Sequence, residues 1–235
     1  MYGRVKNFDL FVYLLAKRAL DIVGSGLVLV LLAPVFVLIS LLIRADSPGN
    51  AIFAQERVGT RIRIRNGRKV WELYPFIVYK FRTMQQNTTS DLHREFVLAF
   101  INNDDEKMKA LQNGKHNGMY KIVDDPRVTR IGKFLRKTSL DELPQFWNVF
   151  IGDMSLVGPR PALPYEVDAY TGDALRRLEA QPGLTGLWQI SARSAVDFDR
   201  MVDLDVSYIE QQSLWMDLKI LLKTPVAVLR GKGAA

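Results

Sequence analysis

Ile22-Val-Gly-Ser-Gly-Leu-Val-Leu-Val-Leu-Leu-Ala-Pro34-Val-Phe-Val-Leu-Ile-Ser-Leu-Leu-Ile43 is a run of 22 residues without a charge. As one helix rising ~1.5 Å per residue it is long enough for a bilayer core of ~30 Å. Pro34, near its middle, removes a backbone hydrogen bond and clashes with the preceding turn. Basic residues flank both ends: Lys6, Lys17 and Arg18 before, and Arg44, Arg57, Arg61, Arg63 and Arg65 after. The positive-inside rule puts both flanks on the cytoplasmic side. A helix that enters, kinks at Pro34 and leaves by the same face satisfies both observations. A single pass with a tolerated proline is the competing reading. A signal peptide fits less well, because the run is long and Arg44-Ala-Asp-Ser-Pro48 follows in place of a small-residue cleavage site. Asp21 stands at the mouth of the run, with Lys17 and Arg18 four and three residues earlier. Either these cations accompany the carboxylate into the headgroup layer or they form an ordinary surface pair with it.

The chain has 235 residues, enough for one sizeable domain or two small ones. With 48% hydrophobic and 24% charged residues it is an ordinary globular composition plus one greasy segment. It has no cysteine, which excludes a disulfide-stapled scaffold and any thiolate chemistry. Its net charge of +7 suits a phosphate-bearing partner (nucleic acid, nucleotide or anionic lipid), or serves only solubility.

Residues 5–20 read as helix running into the apolar segment. Ser47-Pro-Gly-Asn50 is a break, and residues 51–57 read as a strand. Residues 62–65 and 70–73 flank Asn66-Gly67, a primed-turn signal for a hairpin, with residues 77–84 extended beyond it. Helices are expected over 92–111 (polar and peripheral), 127–136, 140–151, 165–180, 196–211 and 214–229. Gln181-Pro-Gly-Leu-Thr-Gly-Leu-Trp188 reads as a turn followed by a strand. The last helix carries Trp215, Leu218 and Leu222 beside Lys219 and Lys223, and either lies in the headgroup plane or packs on a core.

Asp141 and Glu142 adjoin in Lys137-Thr-Ser-Leu-Asp-Glu-Leu-Pro144. Ser139-Leu-Asp-Glu142 fits a capping box, which alone would account for Glu142. The wider context points to chemistry. Arg136 and Lys137 stand just upstream, Arg160 lies between Pro159 and Pro161, and Lys80 and Arg82 sit in Tyr79-Lys-Phe-Arg-Thr-Met84. An ionised Asp141 beside cations and a helix N-terminus has the setting a carboxylate nucleophile needs to attack phosphorus. Mg²⁺ (or Mn²⁺) would bind one carboxylate, Asp141, plus phosphate oxygens. His93 and His116 have no metal-like spacing and read as surface residues. Walker, GxGxxG, HExxH and GxSxG signatures are absent.

Taken together, Lys17-Arg-Ala-Leu-Asp21, the apolar helix with Pro34, Gln55-Glu-Arg-Val-Gly59, Tyr79-Lys-Phe-Arg-Thr-Met84, Asp125-Pro-Arg127, Arg136-Lys-Thr-Ser-Leu-Asp-Glu-Leu-Pro-Gln145, Gly152-Asp-Met-Ser-Leu-Val-Gly-Pro-Arg-Pro161, Pro182-Gly-Leu-Thr-Gly186 and Asp217-Leu-Lys219 resemble the bacterial sugar transferases, the monotopic phosphoglycosyl transferases. The closest likeness is to the hexose 1-phosphate transferring members that initiate exopolysaccharide or O-antigen. The resemblance implies a helix-rich α+β fold, with a re-entrant membrane helix in residues 1–45 and a cytosolic catalytic domain in residues 46–235 holding a small hairpin and interfacial helices. It implies that Asp141 attacks the β-phosphorus of a UDP-sugar (UDP-galactose or UDP-glucose), releases UMP, and passes the sugar phosphate to polyprenyl (undecaprenyl) phosphate. Glu142 would bind metal or activate the acceptor. Lys80, Arg136, Arg160, Arg193 and Asp205 fall where the family places polar residues around the nucleotide and phosphates. Lys17, Arg18, Asp21 and Pro34 match the membrane helix. The implied location is the cytoplasmic face of the bacterial inner membrane, with membrane lipids and no nucleic acid as partners; oligomeric state is not readable. Ala33 stands where many members have serine, and Ala192 where a glycine usually precedes the arginine matching Arg193. Only a short lead precedes Lys17, so the multi-span N-terminal half of some relatives is expected to be missing. A non-catalytic basic membrane adaptor and a metal-dependent lipid-phosphate phosphatase are the competing functions.

Overall fold

The apolar run is two helices. In the computed structural model, which describes residues 7–65, 68–86, 91–112, 125–191 and 196–229, α1 (Asn7–Leu31) and α2 (Ala33–Asp46) meet at a bend of 61°. The break falls at Leu32, two residues before the proline. Pro34 sits in the first turn of α2, where a missing N–H is tolerated and the fixed φ suits the helix. Among the described residues, no single helix is long and apolar enough to cross a membrane.

After the Ser47–Asn50 break the chain forms one long hairpin, β1 (Ile52–Arg65) and β2 (Arg68–Phe81). Its register is unbroken from Ile52 opposite Phe81 to Arg65 opposite Arg68. The separate extended segments expected from the sequence are thus parts of two strands. The Asn66-Gly67 turn lies outside the described residues. The period of two puts Phe76, Val78 and Lys80 on one face of β2, and pairing adds Gln55 and Arg57, opposite Val78 and Phe76.

Helices α3 (Asp91–Ile101), α4 (Asp105–Leu111), α5 (Arg130–Thr138) and α6 (Gln145–Ile151) follow. Strand β3 (Ser155–Val157), helix α7 (Pro164–Ala169), a 3-10 segment Gly172–Leu178 and strand β4 (Gly183–Thr185) come next. Helices α8 (Leu187–Ser191), α9 (Phe198–Gln211) and α10 (Leu214–Leu229) complete a helix-rich α+β fold with small sheets. β3 and β4 pair in parallel. Their crossing admits no side chain: a Cβ on Gly183 would lie 2.0 Å from Gly158 N.

The segment expected to be one polar, peripheral helix over 92–111 is two helices with a buried stripe. Phe96, Ala99, Phe100 and Met108 pack with Trp188, Phe198 and Met201. The stripe was masked by its neighbours Asp91, Arg94 and Glu95. A second core joins Phe76 and Val78 to Val149, Met154, Tyr208 and Ile220, and a third joins Ile39 and Ile43 to Phe81 and Leu135.

The start of α1 belongs to this body, which corrects the headgroup reading of Lys17, Arg18 and Asp21. Lys17 Nζ donates to Val157 O (2.8 Å) and lies 2.9 Å from Asp217 Oδ2. Asp21 Oδ1 accepts from Leu156 N at 2.8 Å and Ser155 Oγ at 3.1 Å. Arg18 donates to the carbonyls of Val149 and Phe150 near the end of α6 (2.7 and 2.8 Å), where a cation suits the helix dipole. Arg57 is likewise buried, and Arg61 pairs with Glu72 across the hairpin. Of the five flanking cations whose side chains are described, four (Lys17, Arg18, Arg57 and Arg61) therefore answer protein acceptors. Lys6 and the side chains of Arg63 and Arg65 lie outside the described residues.

Candidate active site

The Asp141-Glu142 turn owes its shape to Ser139. That residue ends α5 in the left-handed region, φ 57° and ψ 18°, an uncommon conformation for any residue but glycine. Its N–H donates to Arg136 O at 3.2 Å, closing α5. The chain then reverses through a 3-10 turn, Leu140–Glu142, before α6. A capping serine needs extended backbone, so the expected capping box does not form: Ser139 makes no side-chain cap bond. The helix expected over 140–151 is broken there for the same reason.

Glu142 instead turns to cations. Its Oε1 lies 3.3 Å from Lys80 Nζ and 3.9 Å from Arg160 Nη1. The negative charge of Asp141 acts on both Lys80 and Arg136. Arg136 is held by its Nε, which donates to Thr83 Oγ1 at 3.0 Å. Arg160 rides on a loop pinned from two sides. Gly183 N donates to Pro159 O at 2.7 Å, and Arg57 Nη1 donates to Pro161 O at 2.9 Å. Burial pushes the Lys80 ammonium down to about 8, with Glu142 and Asp141 pulling up and Arg160 and Arg57 pushing further down. One cavity is lined by Arg57, Lys80, Glu142, Gln145, Arg160 and Gln189 among others.

The fold thus gathers Asp141, Glu142, Lys80, Arg136 and Arg160 around one turn. Asp205 is elsewhere: fully buried on α9, its Oδ2 is 2.9 Å from Arg177 Nε, and it does not line this cavity. Burial pushes its carboxyl up to about 6 while Arg177 pulls it back. Arg193 lies outside the described residues. Arg82 donates to the Ser47 and Pro48 carbonyls and fastens the end of α2. His93 is no surface residue. It is half-buried, with Nδ1 3.0 Å from Tyr165 OH. Burial, and next the charge of Arg57, push its imidazole down to about 4, so it is neutral at ordinary pH. His116 lies outside the described residues.

Sequence reasoning missed Arg57, Gln145 and Gln189. The cross-strand register would have placed Arg57 on the inward face; the two glutamines carry no signal at that level. Among the described residues, no group of three or more His, Cys, Asp or Glu forms a metal cage. A hard cation shared between one or two carboxylates and a substrate's phosphates needs no cage, and Asp141 with Glu142 fits that mode. Two carboxylates faced by three cations can hold a polyanion and stabilise charge developing on a transferring phosphoryl group.

The profile described as bacterial sugar transferase matches residues 12–231, and the chain belongs to that family. It is 45% identical over 230 residues to galactosyl transferase CpsE of Streptococcus agalactiae, covering 97% of this chain and 45% of that protein. It is 41% identical to the undecaprenyl-phosphate galactose phosphotransferase of Salmonella typhimurium, over 93% of this chain and 41% of that protein. Against the exopolysaccharide production protein ExoY of Rhizobium meliloti it is 38% identical, over 94% of this chain and 88% of that protein. The chain spans less than half the length of the first two relatives.

Proposed function

We propose that the chain is a membrane-bound phosphoglycosyl transferase. It moves a sugar 1-phosphate from a UDP-sugar to polyprenyl phosphate, with Asp141 as the nucleophile, and so starts assembly of an exopolysaccharide, O-antigen or capsule. The observation that carries this reading is the Asp141-Glu142 turn faced by Lys80, Arg136 and Arg160. In the first step an Asp141 carboxylate oxygen bonds to the β-phosphorus of the donor. The bond from that phosphorus to the bridging oxygen breaks, and UMP leaves with that oxygen. In the second step an oxygen of polyprenyl phosphate bonds to the same phosphorus, and the Asp141 ester bond breaks to restore the carboxylate. Lys80 and Arg160 offset repulsion between the diphosphate and Glu142. Mg²⁺ or Mn²⁺, held by Asp141 with phosphate oxygens, would supply further charge neutralisation. Two of the relatives' names carry galactose, which favours UDP-galactose, with UDP-glucose next.

The bent helix pair supports re-entry. Asp21 is fixed to β3, and at the other end Asp46 Oδ2 accepts from Ile131 N at 3.2 Å. Both ends therefore bind one body. From Asp21 to Leu31 is ten residues, a reach of ~15 Å, half of a ~30 Å bilayer core. We assign residues 1–45 to the membrane element, anchored through Lys17, Arg18 and Asp21 to a catalytic domain of residues 46–235 at the cytoplasmic face. Exposed Trp147, Phe150 and Ile151 of α6, and Trp215, Leu218, Leu222 and Val226 spaced along one face of α10, give that domain apolar surface for the interface.

The test is product analysis of the protein in lipid nanodiscs with Mg²⁺, polyprenyl phosphate and single UDP-sugars. UMP and a polyprenyl diphosphate sugar are expected with UDP-galactose. Free phosphate in place of UMP would indicate a phosphatase, and no product across the UDP-sugars would indicate an adaptor.

A further inference from the structure

Two amides in the cavity beside Glu142 have buried atoms without a hydrogen-bond partner among the described residues: Gln145 Nε2 and Gln189 Oε1. Gln145 is 4% exposed. Gln189 Oε1 is seated against Gly186, where an added Cβ would come within 2.6 Å of it. Buried polar atoms are nearly always bonded, and leaving one unmet is costly. Two such atoms in one cavity describe what the cavity is shaped to receive.

Their chemistry is complementary. An amide N–H can donate to a phosphoryl oxygen, as can the cations Arg57, Lys80 and Arg160 in the same lining. An amide oxygen can only accept. An ionised phosphate has no proton to offer it, so a bare phosphate or diphosphate leaves Gln189 Oε1 unmet. The matching ligand carries an O–H within a few ångströms of its phosphate, as a phosphate ester of a sugar does. Resting on the transferase reading, we propose that Gln189 accepts a hydrogen bond from a hydroxyl of the donor's sugar portion while Gln145 donates to a non-bridging phosphoryl oxygen. The pair would then be the uncharged half of the donor site: Gln145 serves every donor equally, and Gln189 reads the arrangement of hydroxyls. That hydroxyl belongs either to the transferred hexose or to the ribose.

The experiment measures kcat/KM for UMP release from UDP-galactose, from analogues each lacking one hexose hydroxyl, and from the 2′-deoxy and 3′-deoxy ribose forms. Wild-type protein is compared with Gln189→Ala, with Gln189→Met (which keeps the length without the amide), and with Gln145→Ala. Wild type is expected to lose about 10- to 100-fold on one analogue. That analogue identifies the source, hexose or ribose. Gln189→Ala or Gln189→Met should lose a similar factor on intact donor and nothing further on that analogue. Gln145→Ala should lose about 10-fold on every donor alike. Whichever Gln189 variant has a wild-type melting midpoint gives the reading. The assignment of Gln189 is overturned if its substitution leaves kcat/KM unchanged, if the two losses multiply, or if no single hydroxyl matters to wild type. Unchanged kcat/KM in Gln145→Ala overturns the role of Gln145. Those results leave the transferase reading standing. A wild-type protein releasing no UMP from any donor overturns both.

Discussion

Replacing Lys17 with Met tests how α1 is tied to β3 and α10. The ammonium lies 2.9 Å from Asp217 Oδ2, 2.8 Å from Val157 O and 3.2 Å from Tyr208 OH. Three donors meet three oxygens, so it is saturated. The Lys17 and Asp217 side chains are 8% and 1% exposed, so the small values measured for surface pairs do not apply. Removing one partner of a buried pair costs ~3–5 kcal/mol, because the other charge is stranded. Asp217 would keep two hydroxyl donors, Tyr13 OH at 3.1 Å and Tyr208 OH at 2.8 Å. That compensation points to the lower end, ~3 kcal/mol. At ~2–4 °C per kcal/mol for a chain of this size, the melting midpoint should fall by ~6–12 °C. The assay is thermal unfolding in nanodiscs of wild type, Lys17→Met, Asp217→Asn and the double variant. The double variant should be less destabilised than the sum of the singles, since the second change removes the stranded charge. A fall of under ~2 °C, the value of an exposed pair, or strict additivity would refute the reasoning.

The acidity of Lys80 predicts that kcat/KM falls as pH rises through about 8, because this ratio reports the free enzyme. Lys80→Arg does not titrate in that range and should move the falling limb to higher pH; an unmoved limb would contradict the assignment. Stability should respond with the opposite sense. The folded-state value lies below 10.5, so between about 8 and 10.5 the unfolded chain holds more protons, and this group raises stability with pH there. Gly132→Ala would put a Cβ 2.1 Å from Thr83 O, against backbone that cannot yield, and should cost ~1–3 kcal/mol in a denaturant midpoint. The higher helix propensity of alanine works the other way, and a net gain in stability would show that α5 is free to shift. Single cysteines at Leu15, before the apolar run, and at Asn50, after it, in a chain that otherwise has none, should label from the same side of the membrane. That pattern should persist in Pro34→Ala, because the anchors at Asp21 and Asp46 remain; labelling from opposite sides would establish a spanning helix.

Patterns confined to one stretch of chain were legible in the sequence. The charge-free run, the Asn66-Gly67 signal between strand-like segments, and the amphipathic stripes of α9 and α10 gave elements close to those observed. What was not legible depends on partners far along the chain. Lys17 and Asp217 are 200 residues apart, and nothing near Lys17 distinguishes a cation meant for lipid from one meant for a buried carboxylate. Arg57 was read as a membrane flank for the same reason. Ser139 misled locally: its spacing to Glu142 is that of a capping box, but its left-handed backbone turns the hydroxyl away. Phosphate chemistry drew attention to the carboxylate pair and to the cations Lys80, Arg82, Arg136, Lys137 and Arg160, and the family resemblance narrowed those cations to Lys80, Arg136 and Arg160. Gln145 and Gln189 were not, since their role shows only in the unmet bonds of the folded cavity.

The most direct test of the account is intact-protein mass spectrometry after incubation with UDP-galactose alone. The account predicts a covalent hexose phosphate on the peptide holding Asp141, discharged by polyprenyl phosphate and absent from Asp141→Asn. Product formation with no such adduct at any time, or full turnover by Asp141→Asn, would contradict it.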